Sequence, residues 1–253
     1  MRFIPPSLLF VSLVSVLATS GFVFDRNASA AEKISVLLVG GFDAGGHKWE
    51  EAVKLNQAIL QKSDRFEVTI STDKEIFASP KLRDYRVVVF NFGFWNEPEP
   101  SEAGKSGLLN YVREGGNVVA IHFACSSFQQ WKEYGDLLGR VWVKGVGGHG
   151  PYGPFTVKIL ESSHPVTKGL KDFKTEDELY AKLSGNAEIQ VLASADSEWS
   201  GKTEPIVFVK NYGKGRVLQN VLGHGSDAKQ NPQYQQLLRR GVEWAATGTV
   251  TVD

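Results

Sequence analysis

The sequence predicts an α/β domain of three layers, with helices on both faces of a mostly parallel central sheet. Three short apolar runs carry this expectation: "ISVLLVG" (34–40), "RVVVFNFG" (86–93) and "NVVAIH" (117–122). They lack polar alternation, so they read as strands covered on both faces, as in a parallel sheet. Amphipathic helical stretches separate them, and the second half adds more strands, which makes the sheet mixed.

The first 30 residues stand apart. Arg2, an apolar run from Leu8 to about Phe24 and the small residues Ala28-Ser29-Ala30 have the layout of a secretory signal peptide cleaved near Ala30. Ser12, Ser15, Thr19, Ser20 and Gly21 interrupt the run, which makes it a poor permanent anchor. The expectation is a periplasmic or secreted protein with a single domain over residues 31–253 and no stable membrane insertion after cleavage. Cleavage removes Arg2, Arg26 and Asp25 from the 28 charges of each sign, leaving 26 basic and 27 acidic residues. A near-neutral chain gives no electrostatic case for binding nucleic acid or an anionic membrane. With one cysteine there is no internal disulfide, so the core alone must hold about 220 residues together.

Along the domain, "HKWEEAVKLNQAILQKS" sets Trp49, Val53, Asn56 and Leu60 near one helical face. "FEVTIST" (66–72) alternates and suits a strand nearer the sheet edge. A helix capped by Ser101 ends at Gly115-Gly116. After "NVVAIH", another helix is expected over "SSFQQWKEYGDLLGR", capped by Ser126 or Ser127. "FTVKIL", "EIQVLAS", "PIVFVK" and "GRVLQNVLG" read as strands, the last two joined by the hairpin glycines of "NYGKG". "TEDELY" reads as a solvated helix start, and Asn231-Pro232 opens a terminal helix.

Ligands of open α/β sheets bind beyond the carboxyl ends of the strands. That edge receives His47 after the first strand, Trp95 after the third, His122 after the central one and His224 after the last. His149, in "KGVGGHGPYG", sits in a glycine-rich loop able to fold over it. Converging imidazoles point to proton transfer or to one divalent metal ion, although no local metal motif is present. The metal candidates are His47, His122, His149 and His224. Trp95 beside Asn96 and Glu97 suits a carbohydrate stacking platform, with core packing the equal alternative. Cys125 lies three residues past His122, without the flanking glycines of a nucleophile elbow, and reads as a small buried hydrophobe. "GGFDAGG" matches neither phosphate-binding motif and reads as a mobile loop.

Taken in order, "GGHKW", "VREGGNVVAIHFA", "GGHG", "SSHPVTKGL", "DELY", "YGKGRV", "VLGHG" and "GVEWAATG" resemble the ThuA-like (trehalose utilisation) family from about Ile34 to Gly248. The resemblance implies a flavodoxin-like three-layer sandwich related to class I glutamine amidotransferases. In that relative a cysteine closes the central strand and a histidine follows the last one. Here His122 stands at the cysteine position and His224 at the histidine, so glutamine hydrolysis is not expected. Lys48 in "GGHKW" departs from the family's more usual acid.

The family also implies sugar metabolism, including keto-sugars made by a partner sugar oxidoreductase. Its motif positions here include His47, His122, His149, His164, Asp177, Glu178, Tyr180, Arg216 and His224. The leading expectation is an exported isomerase, lyase or hydrolase of a sugar or keto-glycoside. His122, His224, Asp177 and Glu178 would be catalytic, and His47, Trp95, His149, Tyr180 and Arg216 would bind the small carbohydrate. The alternative is a non-catalytic carbohydrate-binding or accessory protein using the same cleft.

Overall fold

The computed structural model describes residues 1–3, 32–42 and 46–253. The expected signal peptide, but for its first three residues, and residues 43–45 within "GGFDAGG" lie outside the described residues. Residues Glu32–Asp253 form one compact unit, and no described helix is long and apolar enough to cross a membrane.

The strands, in chain order, are β1 Ile34–Gly41, β2 Phe66–Ser71, β3 Val87–Phe92, β4 Asn117–Ile121, β5 Gly148–His149 and β6 Gly153–Ile159. They continue with β7 Phe173–Asp177, β8 Tyr180–Ala181, β9 Gln190–Ser197, β10 Lys202–Tyr212 and β11 Gly215–Asn220. The helices are α1 Trp49–Gln61, α2 Glu102–Arg113, α3 Lys132–Leu138, α4 Ser226–Gln230 and α5 Pro232–Thr247. Nine strands join one sheet in the order β2-β1-β3-β4-β11-β10-β9-β6-β7, and β5 pairs with β8 apart from it. From β2 to β11 every pairing is parallel; from β11 to β7 every pairing is antiparallel.

Right-handed crossovers decide where the helices go. The step from β1 through α1 to β2 moves one way across the sheet, and the step from β3 through α2 to β4 moves the other. Helices α1 and α5 therefore cover one face, where they touch each other, while α2 and α3 cover the opposite face over β4 and β11. Both faces being covered, β3 and β4 are buried at every residue, as their unbroken apolar runs require. Edge strand β2 alternates instead over its first four residues. Between β1 and β3 the strand order reverses, which opens a crevice at their carboxyl ends.

Several local expectations hold and three are corrected. Ser101 caps α2 by accepting from Gly104 N, and Asn231 caps α5 by accepting from Gln233 N. The helix expected over "SSFQQWKEYGDLLGR" is present but starts later, without the serine cap. His122–Ser126 forms a 3₁₀ turn, and α3 begins only at Lys132 with no side-chain cap. The Ser127 hydroxyl is occupied elsewhere, accepting from Phe94 N and donating to Phe92 O. "TEDELY" is not a helix start: its first residues close β7, which alternates buried and exposed against β6. Short helix α4 has no cap signal and no counterpart among the expected elements.

Candidate functional site

Three strands of the parallel half deliver three imidazoles to one place. His47 follows β1, His122 closes β4 and His224 follows β11; Glu178 joins them from the segment between β7 and β8. One ligand atom from each of His47, His122, Glu178 and His224 lies within 4.8 Å of all the others. His122 has φ +44°, a left-handed conformation uncommon for a non-glycine residue. Backbone strain of this kind costs about 1–3 kcal/mol and concentrates where side chains must be presented at a set angle.

His122 is fully buried, and its Nδ1 stands 2.7 Å from the Val221 carbonyl oxygen. Only a protonated Nδ1 can bond a carbonyl, so the neutral ring turns a lone pair on Nε2 toward the cluster. Burial pushes the His122 pKa down, against the pull of Glu178, and keeps the ring neutral. Nε2 is 3.6 Å from Glu178 Oε2, too far for a hydrogen bond, and has no hydrogen-bond partner. His224 Nδ1 lies 3.0 Å from the same oxygen yet is not aligned for a hydrogen bond. Burial raises the Glu178 carboxyl, but the neighbouring imidazoles outweigh it and hold the group below the usual carboxylate range.

Lone pairs thus converge. An anionic carboxylate faces a neutral imidazole nitrogen whose ring proton is already bonded to a carbonyl. That contact is repulsive unless a proton or a cation lies between. Three imidazoles and a carboxylate are a donor set suited to a divalent transition metal such as zinc. The Val221 carbonyl behind His122 supplies the outer hydrogen bond that such ligands require. Ligands about 2.0–2.1 Å from a tetrahedral ion stand roughly 3.4 Å apart. The quartet is somewhat wider than that at its loosest pair.

Beside the quartet, reached through His47 and Glu178, sits a cavity of about 190 Å³ lined by those two with Trp95, Ser126, Trp142, His149 and Tyr180. His149 enters from β5, with Nε2 3.6 Å from Glu178 Oε1 and Nδ1 2.6 Å from the Gly150 carbonyl oxygen. The Tyr180 ring lies 4.1 Å from that of His122, and its hydroxyl is 3.4 Å from His47 Nε2. Burial pushes this phenol well above the ordinary tyrosine range, so it stays neutral. Trp95 and Trp142 meet edge to face at 6.4 Å, so the Trp95 ring does wall the cavity.

Two neighbouring residues hold the His224 loop by its backbone. Asp177, almost wholly buried, accepts from Gly223 N at 2.6 Å, His224 N at 2.9 Å and Glu178 N at 2.9 Å. It is therefore a positioning residue and not one of the converging ligands. Lys229 reaches the same loop from α4 and donates to the carbonyls of Gly223, His224 and Gly225. Burial lowers its pKa to about 8. Nothing in the sequence marks Lys229, whereas Trp142 stands just before the glycine-rich stretch of His149, a signal that points to it.

Two motif positions lie elsewhere. Arg216 sits at the amino end of β11, with Nε donating to the Trp244 and Ala245 carbonyls, at the opposite end of that strand from His224. His164 packs 5.0 Å from Trp244, its Nδ1 accepting from Val166 N. Neither joins the cluster. The Cys125 thiol is fully buried and pushed up to about 12, which suits packing and not attack on a substrate.

A family model described as ThuA, trehalose utilisation, matches residues 35–245. The chain belongs to the ThuA family. Membership connects it with carbohydrate metabolism in general. A ThuA-like protein from Parabacteroides merdae is 29% identical, with a TM-score of 0.78 over 88% of this chain and 93% of that one. A second ThuA-like protein, from Bacteroides uniformis, is 21% identical, with a TM-score of 0.70 over 88% and 97%. A GMP synthase component from Thermoplasma acidophilum shares 12% identity and a TM-score of 0.55 over 87% and 97%. That likeness concerns the fold alone and agrees with an amidotransferase-like sandwich. No curated protein matches this ThuA chain.

Proposed function

We propose that this ThuA-family protein is an exported enzyme acting on a sugar or keto-sugar glycoside. It would hold one divalent cation on His47, His122, Glu178 and His224. The observation that carries the reading is the meeting of the buried, unpartnered His122 Nε2 and His224 Nδ1 with the Glu178 carboxylate, beside aromatic walls. A cation bound there supplies Lewis-acid polarisation of a substrate oxygen.

The remaining chemistry belongs to side chains. His149 is half-exposed, and the Gly150 carbonyl fixes its Nδ1 as the protonated nitrogen, which leaves Nε2 as the base. Beside the carbonyl of a keto-sugar, that nitrogen takes an acidic C–H proton. Returning it to a neighbouring carbon gives isomerisation; passing it to the departing glycosidic oxygen gives eliminative cleavage. Trp95 and Trp142 hold the sugar ring by its apolar face, and the neutral Tyr180 phenol orients a hydroxyl or carbonyl oxygen. A sugar oxidoreductase supplies the keto form, and residues 1–30 direct export to the periplasm or medium.

Elemental analysis of tag-free protein, paired with turnover of glucosides and their 3-keto forms, tests this. One divalent ion per chain and turnover of a keto form are expected. Full activity in metal-free protein would overturn the cation. Binding of sugars without turnover of any of them would favour the accessory protein. The amino-terminal residue of the mature protein, expected near position 31, tests export.

A further inference from the structure

A larger groove adjoins the cluster on its solvent side. Strands β6 and β9 pair only at Lys158↔Ser194 and Ile159↔Ala193. Past that point β6 continues against β7 and β9 against β10. The sheet forks there, and the Lys158 ammonium bridges to Asp196 at the crotch. Among the described residues, no strand pairs with the edges that face each other beyond the fork. A groove of about 750 Å³ opens between them, walled by Tyr152, Phe155 and Trp199, with Thr156 and Glu198 at its sides.

Two large aromatic rings face water in this groove. Trp199 is 45% exposed and Tyr152 40%. Neither is loose. The Trp199 indole packs so closely against Gly148 that a Cβ there would stand 2.3 Å from a ring carbon. Lys182 Nζ stands 4.4 Å from the ring centroid. Tyr152 is tied down by its hydroxyl, which donates to Glu176 O. An indole held against a glycine and still 45% exposed leaves aromatic surface for a ligand.

The same two rings connect the groove to the cluster. Gly148 directly precedes His149, and the Tyr152 ring lies 5.7 Å from that of His224. The cluster cavity, at about 190 Å³, is smaller than the roughly 300–1,000 Å³ of ordinary ligand pockets. A glycoside of more than one ring must extend out of it. Aromatic rings beside carboxylate and hydroxyl groups match a saccharide, which has apolar C–H faces and a rim of hydroxyls.

We propose that the groove is a second saccharide subsite, in which Trp199 and Tyr152 carry the rings that lie beyond the sugar held at the histidine cluster. This rests on the reading of the cluster as a sugar site.

The test is calorimetric titration of the mature protein with methyl glucoside, trehalose and maltotriose, each in the ordinary and the 3-keto form, repeated with Trp199→Ala and Trp199→Phe. In the wild type, affinity should rise about tenfold or more from the single ring to the longer sugars, the scale of one or two aromatic contacts. That rise should vanish in Trp199→Ala and return in part in Trp199→Phe. A rise that persists in Trp199→Ala, or no rise in a wild type that binds the single ring, overturns the subsite and leaves the cluster reading standing. If the wild type binds no saccharide of any length, in the ordinary or the 3-keto form, both fall.

Discussion

Replacing Asp177 with alanine should be among the most damaging single changes in the domain, although the residue is not one of the converging ligands. Its carboxylate accepts three main-chain N–H groups, from Glu178, Gly223 and His224, at 2.6–2.9 Å. Hydrogen bonds to a charged group contribute about 1.5–3 kcal/mol each, and a buried donor left unpaired costs about 1–3 kcal/mol. Glu178 N can recover water at the cavity; Gly223 N, in the buried loop, has no such recourse. Counting two orphaned donors, and the buried Lys229 left without the opposing charge of Asp177, the loss comes to about 3–5 kcal/mol. For a domain of this size that corresponds to a fall in melting temperature of roughly 6–20 °C. Differential scanning calorimetry of Asp177→Ala reads the effect, with Asp177→Asn as the intermediate case because its amide oxygen still accepts. Adding Lys229→Met to Asp177→Ala should cost less than the two single changes summed, because the ammonium loses its reason to be buried. A melting temperature within about 2 °C of wild type in Asp177→Ala would refute the claim that this carboxylate clamps the His224 loop.

Three further outcomes follow from the same structure. His122→Ala and Glu178→Gln should each reduce bound metal from one equivalent to less than a tenth while far-ultraviolet dichroism stays unchanged; metal retained in both would remove them from the ligand set. Cys125, buried and with its thiol pushed up to about 12, should resist a disulfide exchange reagent at pH 8 in the native state and react stoichiometrically in denaturant. Glu243 shows no solvent exposure, takes Arg65 at 3.1 Å and accepts from the Thr251 and Val252 amides. Burial raises its carboxyl, but the Thr251, Val252 and Arg65 contacts bring it below the usual range. Its contribution is therefore present at neutral pH and lost as pH falls below about 4, so the stability gap between wild type and Glu243→Gln should close there.

The site was legible where position along a strand decides it. His47, His122 and His224 each follow an apolar run that could only be a buried strand, and the strand-end rule brings such residues to one edge. Neighbours defeated the same logic. Asp177 and Glu178 are adjacent acids, but Asp177 closes β7 facing inward to the His224 loop, while Glu178 starts the turn that faces the cavity. Reading "TEDELY" by composition as a solvated helix missed this, because β7 alternates only over five residues and its period shows only against its partner β6. Arg216 shares a motif with the strand that ends near His224 but sits at its other end. Lys229 has no sequence signal because the carbonyls that make its burial tolerable come together only when the loop after β11 closes. The groove under Trp199 was equally hidden, since a fork in a sheet depends on which strands pair.

The partner of His122 Nδ1 is a carbonyl of the main chain, and this has a consequence for inheritance. An orienting side chain can be lost through one codon change, whereas the oxygen of residue 221 is encoded by every amino acid. The tautomer of His122 should survive drift at position 221 so long as the local backbone persists, as should that of His149 at position 150. Mutational fragility of the site is thereby moved off the immediate neighbours of the two rings. It collects at Asp177, whose carboxylate accepts three main-chain N–H groups at once.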